Sequence, residues 1–129
     1  MTESIDVLIV EDDRFLSPLL KARFERENLA ARQALDGEEA LKLLETVRPK
    51  VILLDLIMPK ISGFELLEIV TKDPQLNRIP IIMLSNLSQD SDIEKAKRMG
   101  VVAYYVKVQT SIDDVVKNIK GLIENQSKT

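Results

Sequence analysis

One acidic residue, Asp55, closes the most apolar stretch of the chain. Residues 51–54 read Val-Ile-Leu-Leu, and a Met-Pro pair breaks the pattern shortly after the aspartate. Such a run is typical of a strand buried on both faces, which belongs in the middle of a parallel sheet. Open α/β sheets bind ligands at the carboxyl ends of such strands, so Asp55 is a candidate functional residue. On this strand alone, a simple cap of the following turn is an equally good interpretation.

Polar side chains also follow three other apolar stretches. The residues at these predicted strand ends are Glu11, Asp12, Ser85 and Lys107. Because parallel strands end at the same edge of a sheet, we expect all of them to lie near Asp55. Three carboxylates that repel one another suit a hard divalent cation, and Mg²⁺ prefers oxygen ligands. A lysine and a hydroxyl opposite them would bind an anionic phosphoryl group, and Asp55 would be a nucleophile that forms an acyl phosphate.

The elements that must position these residues alternate between strand and helix. The predicted strands are residues 5–10, 29–35, 51–55, 81–84 and 101–106. Capping residues before apolar residues at helical spacing indicate the helix starts. The predicted caps are Asp13 or Ser17, Asp36, Ser62, Ser91 and Ser111. The short connections favour right-handed parallel crossovers, so we predict an α/β fold with a doubly wound five-stranded parallel sheet, flavodoxin-like (βα)5, in the order 2-1-3-4-5.

Four finer expectations concern packing and helix ends. Phe15 and Leu19 are expected on the inner face of the first helix, and the second helix is expected to continue through Val47 and end before Pro49. The charged helix that ends near Gly100 has few apolar positions, so it should be the least stable one. Residues 125–129 are expected to form a frayed tail.

Composition limits the chemistry that is available. The 129 residues are 45% hydrophobic, which suits one compact domain and is too few residues for two. The absence of cysteine and histidine excludes disulfides, thiolate or imidazole metal sites and imidazole bases. The net charge of −3 gives no basic stripe for nucleic acid. An acidic amino terminus and the lack of a long apolar run favour a cytoplasmic protein that does not enter a membrane.

The order and spacing of the strand-end residues resemble the receiver domain of two-component response regulators, the CheY-like family, from about residue 5 to about residue 124. Residues 55–63 read Asp-Leu-Ile-Met-Pro-Lys-Ile-Ser-Gly, which is similar to the family's phosphorylation segment without the second acid that some members show. The spacings also agree with the family: 43 residues from Asp12 to Asp55, 30 more to Ser85 and 22 more to Lys107.

The resemblance implies a role for each site residue. Asp55 would accept a phosphoryl group from a phosphohistidine on a sensor histidine kinase or a histidine phosphotransfer protein. The implied Mg²⁺ ligands are Asp12, Asp55 and the backbone carbonyl of Ile57, with Glu11 helping through water. Tyr104 falls at the family's switch aromatic, which moves as the Ser85 hydroxyl is drawn to the phosphoryl group. From the residues themselves, Asp13 is better explained as a helix cap than as a ligand, and Tyr105 as packing.

The resemblance also implies what the domain does as a whole. It would catalyse only its own phosphoryl transfer and slow autodephosphorylation, so it is not expected to be an enzyme in the usual sense. Phosphorylation would control a downstream protein partner through the face of the fourth helix, fifth strand and fifth helix, and a dimer that forms on phosphorylation is compatible with this. Because no effector domain fits in these 129 residues, we expect either a stand-alone regulator or an excised receiver. A degenerate receiver that binds proteins constitutively is the alternative.

Two residues depart from related patterns. The residue after the family's lysine is usually proline, often joined through a cis bond, and here it is Val108. A cis bond to valine would cost about 3 to 4 kcal/mol, so the loop either stores that strain or runs trans. Phosphatases that use an aspartyl phosphate generally carry a second carboxylate two residues after the nucleophile. Ile57 occupies that position here, which argues against a phosphatase.

Overall fold

A computed structural model describes residues 2–126, in which five parallel strands form one sheet. The strands are β1 (Glu3–Val10), β2 (Ala31–Ala34), β3 (Val47–Leu54), β4 (Ile81–Ser85) and β5 (Ala103–Val106). Their order is β2-β1-β3-β4-β5, and each neighbouring pair is parallel. The predicted fold class and strand order are therefore confirmed, and β3 lies in the centre of the sheet.

Helices cover both faces of this sheet. They are α1 (Leu16–Arg26), α2 (Gly37–Leu43), α3 (Gly63–Lys72), α4 (Asp90–Arg98) and α5 (Ile112–Gln126). One apolar core includes Ala40, Leu67 and Ala96 from α2, α3 and α4, and a second includes Phe24 and Ile119 from α1 and α5. Within residues 2–126, no helix combines the length and the apolar character needed to cross a membrane.

Three of the predicted caps begin their helices as expected. The side chains of Asp36, Ser62 and Ser111 accept hydrogen bonds from backbone N–H groups three residues later. Asp13 Oδ1 accepts from the N–H groups of Phe15 and Leu16, so the Asp13 alternative holds and a Ser17 cap is wrong. The Ser91 cap is also wrong, because α4 already begins at Asp90 and its N-cap residue makes no side-chain capping bond.

The predicted end of the second helix is wrong, because β3 begins where the helix was expected to continue. Helix α2 ends at Leu43, and Val47 belongs to β3, where it pairs with Glu3 of β1. Pro49 consequently lies inside a strand. It is tolerated there because β4 pairs with β3 only from Ile52 onward, so that side of the strand is still open at the proline.

The inner face of α1 also differs from the prediction. Phe15 is 89% exposed and Leu19 is 47% exposed, whereas Leu20 and Phe24 are fully buried. Ser17 takes the next inward position of this stripe and is fully buried, and Gln33 Nε2 satisfies its hydroxyl by donating to it at 2.8 Å. A satisfied polar residue therefore replaces an apolar one, and the stripe rotates away from Leu19.

The ends of several elements are shifted. Strands β2 and β5 are shorter than predicted and β1 is longer. Helix α5 continues to Gln126, so residues 125–126 are helical, and residues 127–129 of the predicted tail lie outside the described residues. The buried residue of α4 is Ala96, consistent with its few apolar positions, and its low stability remains a prediction.

Candidate functional site

Asp55 is the first residue after the central strand, and two donors fix its carboxylate. The side chain is buried, with 5% of the residue exposed. Oδ1 accepts from the Ile57 N–H at 3.1 Å, and Oδ2 accepts from Lys107 Nζ at 2.9 Å. Asp55 therefore does cap its own turn, and it also faces the ammonium of Lys107, which directly follows β5. The two interpretations of its role are compatible.

Close packing of α3 against β3 holds the Asp55 turn in place. The Gly63 N–H donates to the Leu56 carbonyl at 3.0 Å. A Cβ at position 63 would lie 2.5 Å from the Asp55 carbonyl oxygen and from Leu56 Cα, so only glycine fits without moving the backbone. A reciprocal capping box between Ser62 and Glu65 then begins α3. This turn is positioned by backbone contact.

Two more acids follow β1 and complete an acidic group with Asp55. Glu11 is buried, Asp12 is exposed, and one oxygen from each of the three carboxylates lies within 4.8 Å of the others. Burial raises the pKa of Glu11 to about 7, and the negative charge of Asp55 adds to this, while the bond from Lys107 opposes it. Asp13 donates its N–H to Glu11 Oε2, and its own side chain caps α1, as predicted.

The acidic group fits the donor set of a hard divalent ion. Glu11, Asp12 and Asp55 offer carboxylate oxygens, which Mg²⁺ prefers, and Asp12 is open to solvent. The backbone carbonyl of Ile57 as a further ligand remains a prediction. The charges of the three acids are only partly balanced by one lysine, which leaves the site suited to a cation.

Lys107 joins the acids of two strands. Its Nζ lies 2.7 Å from Glu11 Oε1 and 2.9 Å from Asp55 Oδ2. Burial alone lowers the pKa of Lys107, but its hydrogen bonds and charge attraction to these two carboxylates outweigh burial, and the net pKa is raised. The ammonium therefore stays charged and lies where the sequence predicted it, beside Asp55.

Ser85, the last residue of β4, lies on the same edge and is fully buried. Its Oγ accepts from the Leu87 N–H at 3.3 Å. The Tyr104 hydroxyl donates to the Leu87 carbonyl at 2.6 Å, so this tyrosine is tied to the loop that follows Ser85. Burial raises the pKa of Tyr104, and a hydrogen bond with Ser85 partly offsets the rise.

Tyr105 points to the opposite side of the sheet from Tyr104. It packs against the core formed with α1 and α5, and its hydroxyl accepts from Asn118 Nδ2 at 2.9 Å. Its interpretation as a packing residue agrees with these contacts.

The sequence analysis did not identify Asn86, which binds the backbone after Lys107. The Lys107–Val108 peptide is trans, like every described peptide bond, so the alternative with a strained cis bond does not apply. The backbone N–H of Val108 donates to Asn86 Oδ1 at 3.2 Å. Two features of the sequence could have indicated this contact. Asn86 places an amide side chain directly after Ser85, and Val108 has the backbone N–H that a proline at that position would lack.

Comparison with known proteins agrees with this geometry. A family model described as "Response regulator receiver domain" matches residues 7–120. A relative from Leptolyngbya boryana, named "Uncharacterized 14.6 kDa protein in sodA1 3'region", is 35% identical over 103 residues, which cover 80% of this chain and 79% of the relative. The chain spans about half the length, 50% to 52%, of several transcriptional regulators that it matches.

Two solved structures illustrate the similarity of the fold. The receiver domain of the Francisella response regulator 1452 is 31% identical, with a TM-score of 0.85, and the match covers 95% of this chain and 98% of that one. The phosphorylated cyanobacterial phytochrome response regulator RcpA is 27% identical, with a TM-score of 0.77, over 96% of this chain and 93% of that one.

The class that the fold and the strand-end residues define is the CheY-like receiver. The chain belongs to the response regulator receiver domain family, whose members act in two-component signalling. Receiver domains interact with histidine kinases and with effector partners, and they bind Mg²⁺ at an acidic pocket, for which this chain has a Glu-Asp-Asp group.

Proposed function

We propose that this chain is a phosphoacceptor, in which Asp55 takes a phosphoryl group from a phosphohistidine on a sensor histidine kinase or a phosphotransfer protein. A carboxylate oxygen of Asp55 forms the new bond to phosphorus, and the phosphorus–nitrogen bond of the donor breaks, leaving the electron pair on the imidazole nitrogen. The observation that carries the proposal is the buried Asp55 carboxylate, held between the Ile57 N–H and the Lys107 ammonium.

Two side chains are suited to stabilise the charge of the incoming group. Lys107 is already within hydrogen-bond distance of Asp55, so its ammonium pairs with a phosphoryl oxygen at that place. The Ser85 hydroxyl accepts from the Leu87 N–H and is hydrogen-bonded to Tyr104, so it would turn away from Tyr104 to donate its proton to another phosphoryl oxygen.

The acidic residues would hold the Mg²⁺ that the family uses. Asp12, Asp55 and the Ile57 carbonyl would be its direct ligands, and Glu11 would act through water. When bound, the ion supplies positive charge that offsets the charge of the transferring phosphoryl group. The side chains of the chain itself provide the nucleophile, the ammonium and the hydroxyl.

The output follows from the contact between the site and Tyr104. When the Ser85 hydroxyl turns toward the phosphoryl group, the loop that carries Leu87 moves with it, and the Tyr104 bond to that loop is rearranged. This would alter the face of α4, β5 and α5 and so control a protein partner in the cytoplasm, or a dimer that forms on phosphorylation. The alternative, a constitutive binding module, is disfavoured because the acids, the hydroxyl and the lysine are all present and meet at one edge.

Intact mass after incubation with acetyl phosphate tests the proposal. We expect one added phosphoryl group on the wild-type protein with Mg²⁺, and none with excess chelator or in Asp55→Ala. Asp73→Asn is the matched control, because Asp73 lies after α3 and an asparagine keeps the oxygen that accepts from Gln75. Phosphorylation of Asp55→Ala, or labelling without divalent metal, would contradict the assignment.

A further inference from the structure

The loops after β4 and β5 leave the sheet side by side. Ser85 and Val106, the last residues of these two strands, are register partners. Asn86 and Lys107 therefore begin the two loops at neighbouring positions, and Asn86 Oδ1 reaches across to accept the Val108 N–H at 3.2 Å. An exposed side chain thus joins the loop of Ser85 to the loop of Lys107.

The loop that carries Lys107 has few other anchors among its own residues. Lys107–Gln109 form a single 3₁₀ turn, closed by a long bond of 3.5 Å from the Thr110 N–H to the Lys107 carbonyl. The Val108 side chain is 80% exposed and contributes little packing. The bond from Val108 to Asn86 therefore restrains the backbone from which the Lys107 side chain must reach both Glu11 and Asp55.

We propose that Asn86 is a positioning residue for Lys107. By accepting a hydrogen bond from the Val108 N–H, Asn86 holds the Lys107 backbone in the position that keeps the ammonium between Glu11 and Asp55. The ammonium is then in place to meet the phosphoryl group. Asn86 itself does not touch the reacting atoms. This inference rests on the proposed function for its effect on phosphoryl transfer, but the restraint on Lys107 exists before any phosphoryl group arrives.

The first test measures the rate of phosphorylation by acetyl phosphate at fixed Mg²⁺. Removing the acceptor with Asn86→Ala should slow the reaction about threefold to tenfold, the range that corresponds to one hydrogen bond. Asn86→Asp keeps an oxygen at the same position and should restore most of the rate. Ser88→Ala, at an exposed residue of the same loop, is the control and should react like wild type.

A double variant separates positioning from general damage. If Asn86 acts through Lys107, then Asn86→Ala should cause no further loss of rate when Lys107→Met is already present. The inference would be overturned if the fold-losses in rate of the two single variants multiply in the double variant. A wild-type rate in Asn86→Ala alone would also overturn it.

An NMR measurement decides the point without phosphorylation. In protein labelled with ¹⁵N-lysine, the Lys107 ammonium protons should be protected from exchange by their bonds to Glu11 and Asp55, and Lys107→Arg identifies their signal. We expect this signal to broaden or vanish in Asn86→Ala and to survive in Ser88→Ala. Survival in Asn86→Ala would overturn the inference even if Asp55 is phosphorylated normally. Absence of phosphorylation in wild type would instead overturn the proposed function.

Discussion

Replacing Glu11 by glutamine should make the stability of the metal-free protein less dependent on pH. Glu11 is 2% exposed, and burial raises its pKa in the folded state to about 7, against an ordinary value of 4.5. The folded state therefore binds the Glu11 proton more tightly than the unfolded state does. This contribution to stability is fully present below pH 4.5 and is lost as the pH rises through about 7.

The size of the effect follows from the two pKa values. Between pH 5 and pH 8, the change in the free energy of unfolding that is due to Glu11 is about 2 to 3 kcal/mol, at about 1.4 kcal/mol for each unit of pKa difference. Glutamine cannot ionise, yet its oxygen can still accept from Lys107 or from the Asp13 N–H. The absolute stability of Glu11→Gln depends on those bonds, but its difference from wild type should grow with pH.

Urea unfolding at pH 5, 6, 7 and 8 in chelator measures this difference. The variant should gain about 2 to 3 kcal/mol relative to wild type across the series, with an unchanged denaturant slope. Glu45→Gln, at an exposed carboxylate, should stay parallel to wild type throughout. A constant difference between Glu11→Gln and wild type from pH 5 to pH 8 would refute the reasoning, because it would show that Glu11 ionises alike in both states.

Three further outcomes are expected. Mg²⁺ at ten times its Kd should stabilise wild type by about 1.4 kcal/mol in thermal unfolding, and not Asp12→Asn. Gly63→Ala should cost about 1 to 3 kcal/mol in urea because a Cβ would meet backbone, whereas Gly121→Ala, with nothing within 4 Å, should not destabilise. Apolar Ile57 and Leu87 cannot orient a hydrolytic water, so phosphate loss should be faster, about tenfold, in Ile57→Asn/Leu87→Glu; equal or slower loss would contradict this.

The sequence was sufficient to predict the features that depend on backbone topology. An apolar run that ends in a polar residue predicts both a buried parallel strand and the edge where that residue lies, so Asp55, Ser85 and Lys107 could be placed together before any coordinates. Caps such as Asp36 and Ser62 were predictable for the same local reason, because their side chains bond backbone only three residues away.

Features that depend on distances between separate segments were not predictable. The apolar spacing at the start of α1 was compatible with an inner face through Leu19, and the Gln33 side chain that satisfies a buried Ser17 comes from β2. Pro49 indicated a helix end, yet it is accommodated in β3 because β4 begins to pair later. The Asn86 contact with Val108 likewise depends on how closely two loops approach.

For the proposed phosphoryl transfer, the position of the Lys107 ammonium is as important as its charge, and the bond between Asn86 and Val108 restrains that position. Three carboxylates and one ammonium give the group a net charge of about −2 when all are ionised, which a divalent cation would neutralise. A phosphoryl group on Asp55, as proposed, would bring new oxygens to the place where Lys107 now meets Asp55 Oδ2 at 2.9 Å. The ammonium can exchange a carboxylate oxygen for a phosphoryl oxygen with little movement. Any loss of the backbone restraint on Lys107 would remove this preorganisation while leaving the net charge unchanged.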